Sequence, residues 1–179
     1  CKIARVNELA RSVVRGTVDR DSLERELCAI DTLGQYPEPL PSLGAAMVTG
    51  FFCLLFGGGW NDSLAAAVIG IIIGKVLAWL GARRISDFFS NIVGGAFAAA
   101  AALTVVRTGL ADSQDAIIIG SIMLLVPGVM IVNAIRDIIA GDLVAGVSRA
   151  AEAFISAAGI SIGVGMTLHA AVMLFGAGA

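Results

Sequence analysis

The chain is short of most residues that water-facing chemistry uses. It has one histidine, His169, and three cysteines, Cys1, Cys28 and Cys53, which lie far apart with no CxxC pair and no histidine nearby. That pattern offers neither a metal ligand set nor a redox couple, and unpaired thiols are the default. Nothing resembles a P-loop, a dinucleotide fingerprint, a zinc site or a nucleophile elbow. No catalytic residue, metal or cofactor is therefore assigned, and enzymatic activity is not expected. No basic patch would hold phosphates, and nucleic acid is not an expected partner. From Cys1 to Pro41 no apolar core of about 7–15 residues occurs, so no signal peptide is read there. With Cys1 first instead of Met, the chain reads as a part of something longer.

What is abundant is apolar sequence. The 179 residues are 58% hydrophobic with a mean hydropathy of +0.90, and they include 22 glycines. That is too apolar for a soluble domain of this length, whereas glycine is frequent in transmembrane helices. Charge is concentrated at one end: thirteen Asp, Glu, Lys or Arg lie in the first 42 positions and thirteen in the other 137. The expected fold is an all-α integral membrane protein with five transmembrane helices, preceded by a short amphipathic helical segment. Residues 1–42 would be cytoplasmic amphipathic helices with a proline-rich connector, and residues 43–179 a five-helix transmembrane domain.

Within the polar segment, Ile3, Val6, Leu9 and Val13 recur at steps of three and four, which predicts an amphipathic helix over 3–15 that ends at Gly16. A second helix is expected from near Asp21, with Glu24 in capping-box spacing and Leu23, Leu27, Ile30 and Leu33 on one side. Pro37, Pro39 and Pro41 predict an extended connector.

Five apolar segments follow: Leu43–Gly59, Ser63–Ala82, Phe88–Val106, Ala116 to about Ile139, and Leu143–Phe175. Trp60 and Trp79 bracket the second at roughly 28 Å, close to the thickness of the hydrocarbon core. Inward segments hold six Lys or Arg before Pro41, then Arg83, Arg84, Arg136 and Arg149, whereas outward loops hold only Arg107. The positive-inside rule then puts the N-terminus in the cytoplasm and the C-terminus outside. An odd number of spans suits one half of an inverted-repeat transporter, whose substrate sits where two halves meet.

The fourth segment is interrupted at Pro127-Gly128 and then loaded with charge. Pro127 lacks an N–H and frees the carbonyl of Met123. Counted from Asp115, the break lies roughly 18 Å deep, near the bilayer centre. Broken helices at that depth persist where they are buried in protein or line a cavity. Asn133, Arg136 and Asp137, at i, i+3 and i+4, share one helix face. On the next helix Arg149, Glu152, Ser156, Gly159 and Gly163 fall within about 80° of one another. Charge at membrane depth costs about 2.5–3.5 kcal/mol per Arg or Asp. Two readings stand side by side: salt bridges pairing Arg136 and Asp137 with Glu152 and Arg149, or a polar site that takes a carboxylate on Arg136 or Arg149 and an ammonium on Asp137 or Glu152. The candidate substrate-binding set is Ser121, Pro127, Gly128, Asn133, Arg136, Asp137, Arg149 and Glu152. Lys75 reads as a snorkelling side chain and His169 as an interfacial one rather than a proton relay. Gly70-xxx-Gly74 and Gly159-xxx-Gly163 permit close helix approach.

Three stretches carry a family resemblance: GGGWNDSLAAAVIG over 57–70, Ala82-Arg83-Arg84, and LLVPGVMIVNAIRDIIAGDLVAGVSRAAEA over 124–153. Together they resemble the N-terminal membrane domain of the threonine/serine exporter (ThrE-like) family, over essentially the whole chain. The resemblance implies a ten-span exporter of small metabolites in the cytoplasmic membrane, made as one chain or as two unequal subunits. The expected partners are a second five-helix half, fused or separate, the lipid bilayer and a small-molecule substrate, with proton coupling and homo-oligomerisation left open. Members usually carry a soluble region before the point where this chain starts. Threonine and serine are the expected substrates. A dicarboxylate such as succinate, in a two-component system, is the alternative and would draw on both Arg136 and Arg149. A non-transporting membrane scaffold is the reading from a different class.

This topology is directly testable by cysteine accessibility. Asn61→Cys and Ser113→Cys should react with an impermeant maleimide from outside, and Ser86→Cys only from inside. External labelling at Ser86 would overturn the orientation.

Overall fold

The computed structural model describes residues 2–15, 22–27 and 39–176, and every regular element among them is helical. Two compact units are present, Cys1–Leu40 and Pro41–Ala179. The first holds α1, Lys2–Val14, and a short helical stretch at 22–27. Val6 and Val13 of α1 are exposed and Leu9 is half-buried. Gly16, Asp21, Ile30, Leu33, Pro37, Cys1 and Cys28 lie outside the described residues, and so do the expectations that rest on them.

The second unit is built from α2 (Pro39–Leu55), α3 (Trp60–Ala82), α4 (Asp87–Arg107), α5 (Gln114–Ile122), α6 (Gly128–Ile139) and α7 (Leu143–Phe175). Three of these, α3, α4 and α7, are long and apolar enough to cross a membrane; α2, with 17 residues, is shorter. Where the sequence predicts one fourth span, the chain forms two short helices, α5 and α6, on either side of a break. The expected extended connector is also corrected in part. Pro39 and Pro41 lie in the first turn of α2, where the missing N–H has no intrahelical acceptor in any case and the fixed φ suits a helix start.

Small residues set the packing. Gly70 of α3 lies against the Thr49 side chain of α2, and a Cβ on Gly74 would come 3.6 Å from Ala45, so the first GxxxG pair does mark a close α2–α3 contact. In α7, Gly159 faces the Phe88 carbonyl and Gly163 the Ile92 carbonyl of α4, too close for any side chain. Thr167 follows in the same register, its hydroxyl donating to the Ala96 carbonyl at 3.5 Å and to the Gly163 carbonyl at 3.0 Å. Because Phe88, Ile92 and Ala96 meet Gly159, Gly163 and Thr167 in the same order, α4 and α7 run parallel. The core between α3, α4, α5 and α7 is made from Ala66, Ile69, Ile73, Ala98, Ala102, Ile117 and Ile160, all buried.

One buried carboxylate ties the start of α3 to the loop before α5. Asp62, in the first turn of α3, is 2% exposed. Its Oδ2 accepts the Gly59 N–H at 2.8 Å, and its Oδ1 accepts the N–H groups of Asp112 at 2.8 Å and Ser113 at 3.1 Å. The Ser113 hydroxyl then caps α5 by accepting the Ala116 N–H at 3.3 Å. A carboxylate can accept several bonds at once, so a single side chain serves its own helix start and the loop that launches α5.

Asp62→Ala strands three N–H groups and should lower stability by about 3 kcal/mol. Asp62→Asn keeps one carbonyl acceptor and should lose less. Thermal melts of the detergent-purified variants test both; an unchanged melting temperature for the alanine variant would refute the latch.

Candidate functional site

The break begins where α5 runs out of helix after Ile122. The Leu125 N–H turns back to the Ile122 carbonyl at 2.8 Å, and the Gly128 N–H to the Val126 carbonyl at 2.8 Å. Pro127 caps α6 with φ −79° and ψ 50°, outside the helical region, and its carbonyl accepts the Ile131 N–H at 3.1 Å. The loss of regular helix predicted around Met123–Gly128 is thus present, and the missing proline donor is its physical cause. Leu124 reaches Gly74 of α3 and Leu125 reaches Gly94 of α4. Gly94 is seven residues into α4, roughly 10 Å from its start at 1.5 Å per residue. The break therefore packs about a third of the way along α4, roughly 20 Å from its other end, in keeping with the roughly 18 Å counted from Asp115.

Ser121 lies on the α5 side of the break. It is completely buried, and its hydroxyl has no hydrogen-bond partner among the described residues. The neighbouring Gly120 packs on the α2 backbone at Thr49 and Cys53. A buried hydroxyl left unpaired costs about 1–3 kcal/mol, a cost that an ordered water or a bound solute would relieve.

The charged residues form a separate group. α6 doubles back on the first turns of α7, where Gly146 lies against the Ala134 carbonyl and Ile138. Gly159 lies beside Phe88, in the first turn of α4. The residues from Leu143 to Ala158, roughly 24 Å of helix, thus run past the beginning of α4 and pair with α6 as a projecting hairpin. Asn133, half-buried, and Arg136, Asp137, Arg149 and Glu152 all belong to this hairpin. Of the predicted set, only Asp137 and Arg149 meet, Nη1 to Oδ2 at 2.5 Å, with side-chain exposures of 23% and 49%. Arg136 and Glu152 are exposed and make no ion pair. Ser156, Gly159 and Gly163, at the other end of the same α7 stripe, are buried, the two glycines against α4.

The expected set therefore divides in two: Ser121, Pro127 and Gly128 at a break packed by α3 and α4, and five polar residues on a hairpin beyond. The sequence reading passed over Asp62, which holds α5 in place. Its donors are backbone groups, two of them about fifty positions away, and backbone donors leave no residue pattern to read. Lys75 and His169 are exposed, as snorkelling and interfacial roles require.

A family model described as "Putative threonine/serine exporter" (ThrE) matches residues 1–171. The chain is 30% identical over 178 residues to the "Threonine/serine exporter" of Corynebacterium glutamicum, covering 97% of this chain and 36% of that protein. It is 29% identical over 172 residues to the "Probable threonine/serine exporter" of Mycobacterium tuberculosis, covering 93% and 32%. The chain thus spans about a third of the length of the curated relatives it matches. No solved structure matches.

The geometry of the Asp137–Arg149 pair sets its energetic value. Partly exposed pairs contribute about 1 kcal/mol or less. A double-mutant cycle with Asp137→Asn and Arg149→Gln should therefore return a coupling of about 1 kcal/mol in thermal or denaturant unfolding. A coupling of several kcal/mol would place the pair in a far drier setting than the one described.

Proposed function

The chain belongs to the threonine/serine exporter family, and from that premise we propose that it forms one half of a secondary exporter for small polar metabolites, threonine and serine first, across the cytoplasmic membrane. In this reading the unit crosses the bilayer five times, through α2, α3, α4, the interrupted pair α5–α6, and α7. The parallel run of α4 and α7 supports this count, because a chain that ends one helix outside and begins its parallel neighbour inside must cross in between. With the positive-inside orientation, the N-terminus is cytoplasmic and the C-terminus outside. A second half, running the opposite way, completes the pathway.

The observation that carries this reading is the interrupted helix with Ser121 buried and unpaired beside it. Irregular backbone within a membrane domain is tolerated where protein or a solute pathway satisfies it. A hydroxyl that lacks a protein partner is suited to bond a solute's hydroxyl, ammonium or carboxylate. The hairpin would then act earlier, as the cytoplasmic mouth. Asp137 and Arg149 neutralise each other there, which leaves Arg136 to receive a carboxylate and Glu152 to receive an ammonium. One free cation and one free anion match a zwitterionic amino acid. A dicarboxylate would need two cations, and Arg149 is already engaged.

The test uses the intact protein in everted vesicles with labelled threonine and succinate. Threonine should accumulate and succinate should not. Arg136→Gln and Glu152→Gln should each cut threonine uptake at least about tenfold, the loss of one charge-assisted contact worth about 1.4 kcal/mol, with expression and melting temperature unchanged because neither residue has an ion-pair partner to strand. Ser121→Ala should impair uptake without destabilising, since it removes an unpaired group. Full uptake in all three variants would sink the assignment.

A further inference from the structure

A groove lies away from the break, toward the other end of α4 and α7. It has a volume of about 280 Å³ and is walled by Leu103, Thr104 and Arg107 of α4 with Ala170, Leu174 and Phe175 of α7. Its floor is apolar, and its rim carries one charge. The Arg107 Cζ lies over the Phe175 ring at 3.9 Å from the centroid. A guanidinium held over a ring can still offer N–H groups to an anion. No carboxylate among the described residues pairs with it. The Thr104 hydroxyl donates to the Ala100 carbonyl at 2.8 Å, which uses its one donor.

We propose that this groove binds one anionic phospholipid, with the phosphate on the Arg107 edge and an acyl chain lying between α4 and α7. The ends of these helices, where Arg107 and Phe175 lie, fall at headgroup depth if the apolar stretch of each helix fills the hydrocarbon core. An arginine there finds phosphate oxygens in fork geometry, and an apolar groove directly below finds hydrocarbon. Free phosphate shares the first contact but has no use for the groove. A bound lipid of this kind would hold the α4–α7 pair together where the close glycine packing gives way to larger side chains. The inference rests on membrane insertion and is independent of solute export.

The probe is the intact protein, reconstituted in nanodiscs with equal parts dioleoyl phosphatidylglycerol and phosphatidylcholine and released for native mass spectrometry. The wild type should retain phosphatidylglycerol in preference to phosphatidylcholine, and added inorganic phosphate should not displace it. Arg107→Gln should lower retention about tenfold, and Arg107→Lys should restore part of it. Ala170→Trp keeps the cation but fills the groove, and it should lower retention as well. Equal retention of both lipids, displacement by phosphate alone, or retention unaffected by Ala170→Trp would each overturn the proposal. So would loss of the second half from the Ala170→Trp protein with lipid retention unchanged, which would assign the groove to protein contact.

Discussion

Three backbone N–H groups converge on the Asp62 carboxylate, and the position of the interrupted helix depends on that convergence. α5 has only nine residues, a length at which an isolated helix is marginal in water. It persists because its first turn is fixed from outside. Asp62 holds Asp112 and Ser113, and Ser113 caps the helix. From a fixed start, nine residues bring the chain to Ile122 at a set depth, where Pro127 prevents continuation. The carboxylate at the end of the bundle therefore determines where the break falls among α3 and α4. Removing it would free the beginning of α5, and the depth of the break would no longer be defined.

The α4–α7 contact determines the rest of the arrangement. Carbonyls of Phe88 and Ile92 lie on Gly159 and Gly163 so closely that a side chain at either glycine would clash. Since α7 is 33 residues long, fixing Gly159 beside the start of α4 leaves the first half of the helix unsupported by α4. Only α6 accompanies it, through Gly146. The projecting hairpin is thus a consequence of helix length and of where the glycines fall.

Much of this was legible in the residues, and what escaped did so for identifiable reasons. Apolar runs bounded by glycine, tryptophan and arginine located α3, α4 and α7 to within a few positions. Pro127 announced the break because a residue without an N–H inside an apolar run has few other consequences. Pro39 and Pro41 misled, since proline looks the same before a helix as in its first turn. The register of α4 against α7 was not legible, because many glycines are present and only close carbonyls show which of them matter. For that reason Arg149 and Glu152 read as part of one stripe with Ser156 and Gly163, although the first two are exposed and the last two buried. Two ion pairs were equally compatible with the spacing; the hairpin geometry made one, Asp137 with Arg149, and left Arg136 and Glu152 without partners.

This separation has an energetic logic. Ionised side chains at the centre of a bilayer are costly, and a buried pair recovers its desolvation only with good geometry and further hydrogen bonds. On a hairpin that runs past the start of α4, five polar side chains would, in the proposed orientation, keep access to water and avoid most of that cost. The polar group left at the packed break is a neutral hydroxyl, Ser121, whose unpaired burial costs far less than that of a charge. An arrangement of this kind can meet a zwitterion with full charges where water is present and hold it by hydrogen bonds where water is scarce. Binding then need not be tight at any single point, which is what a pathway that must release its solute on the far side requires.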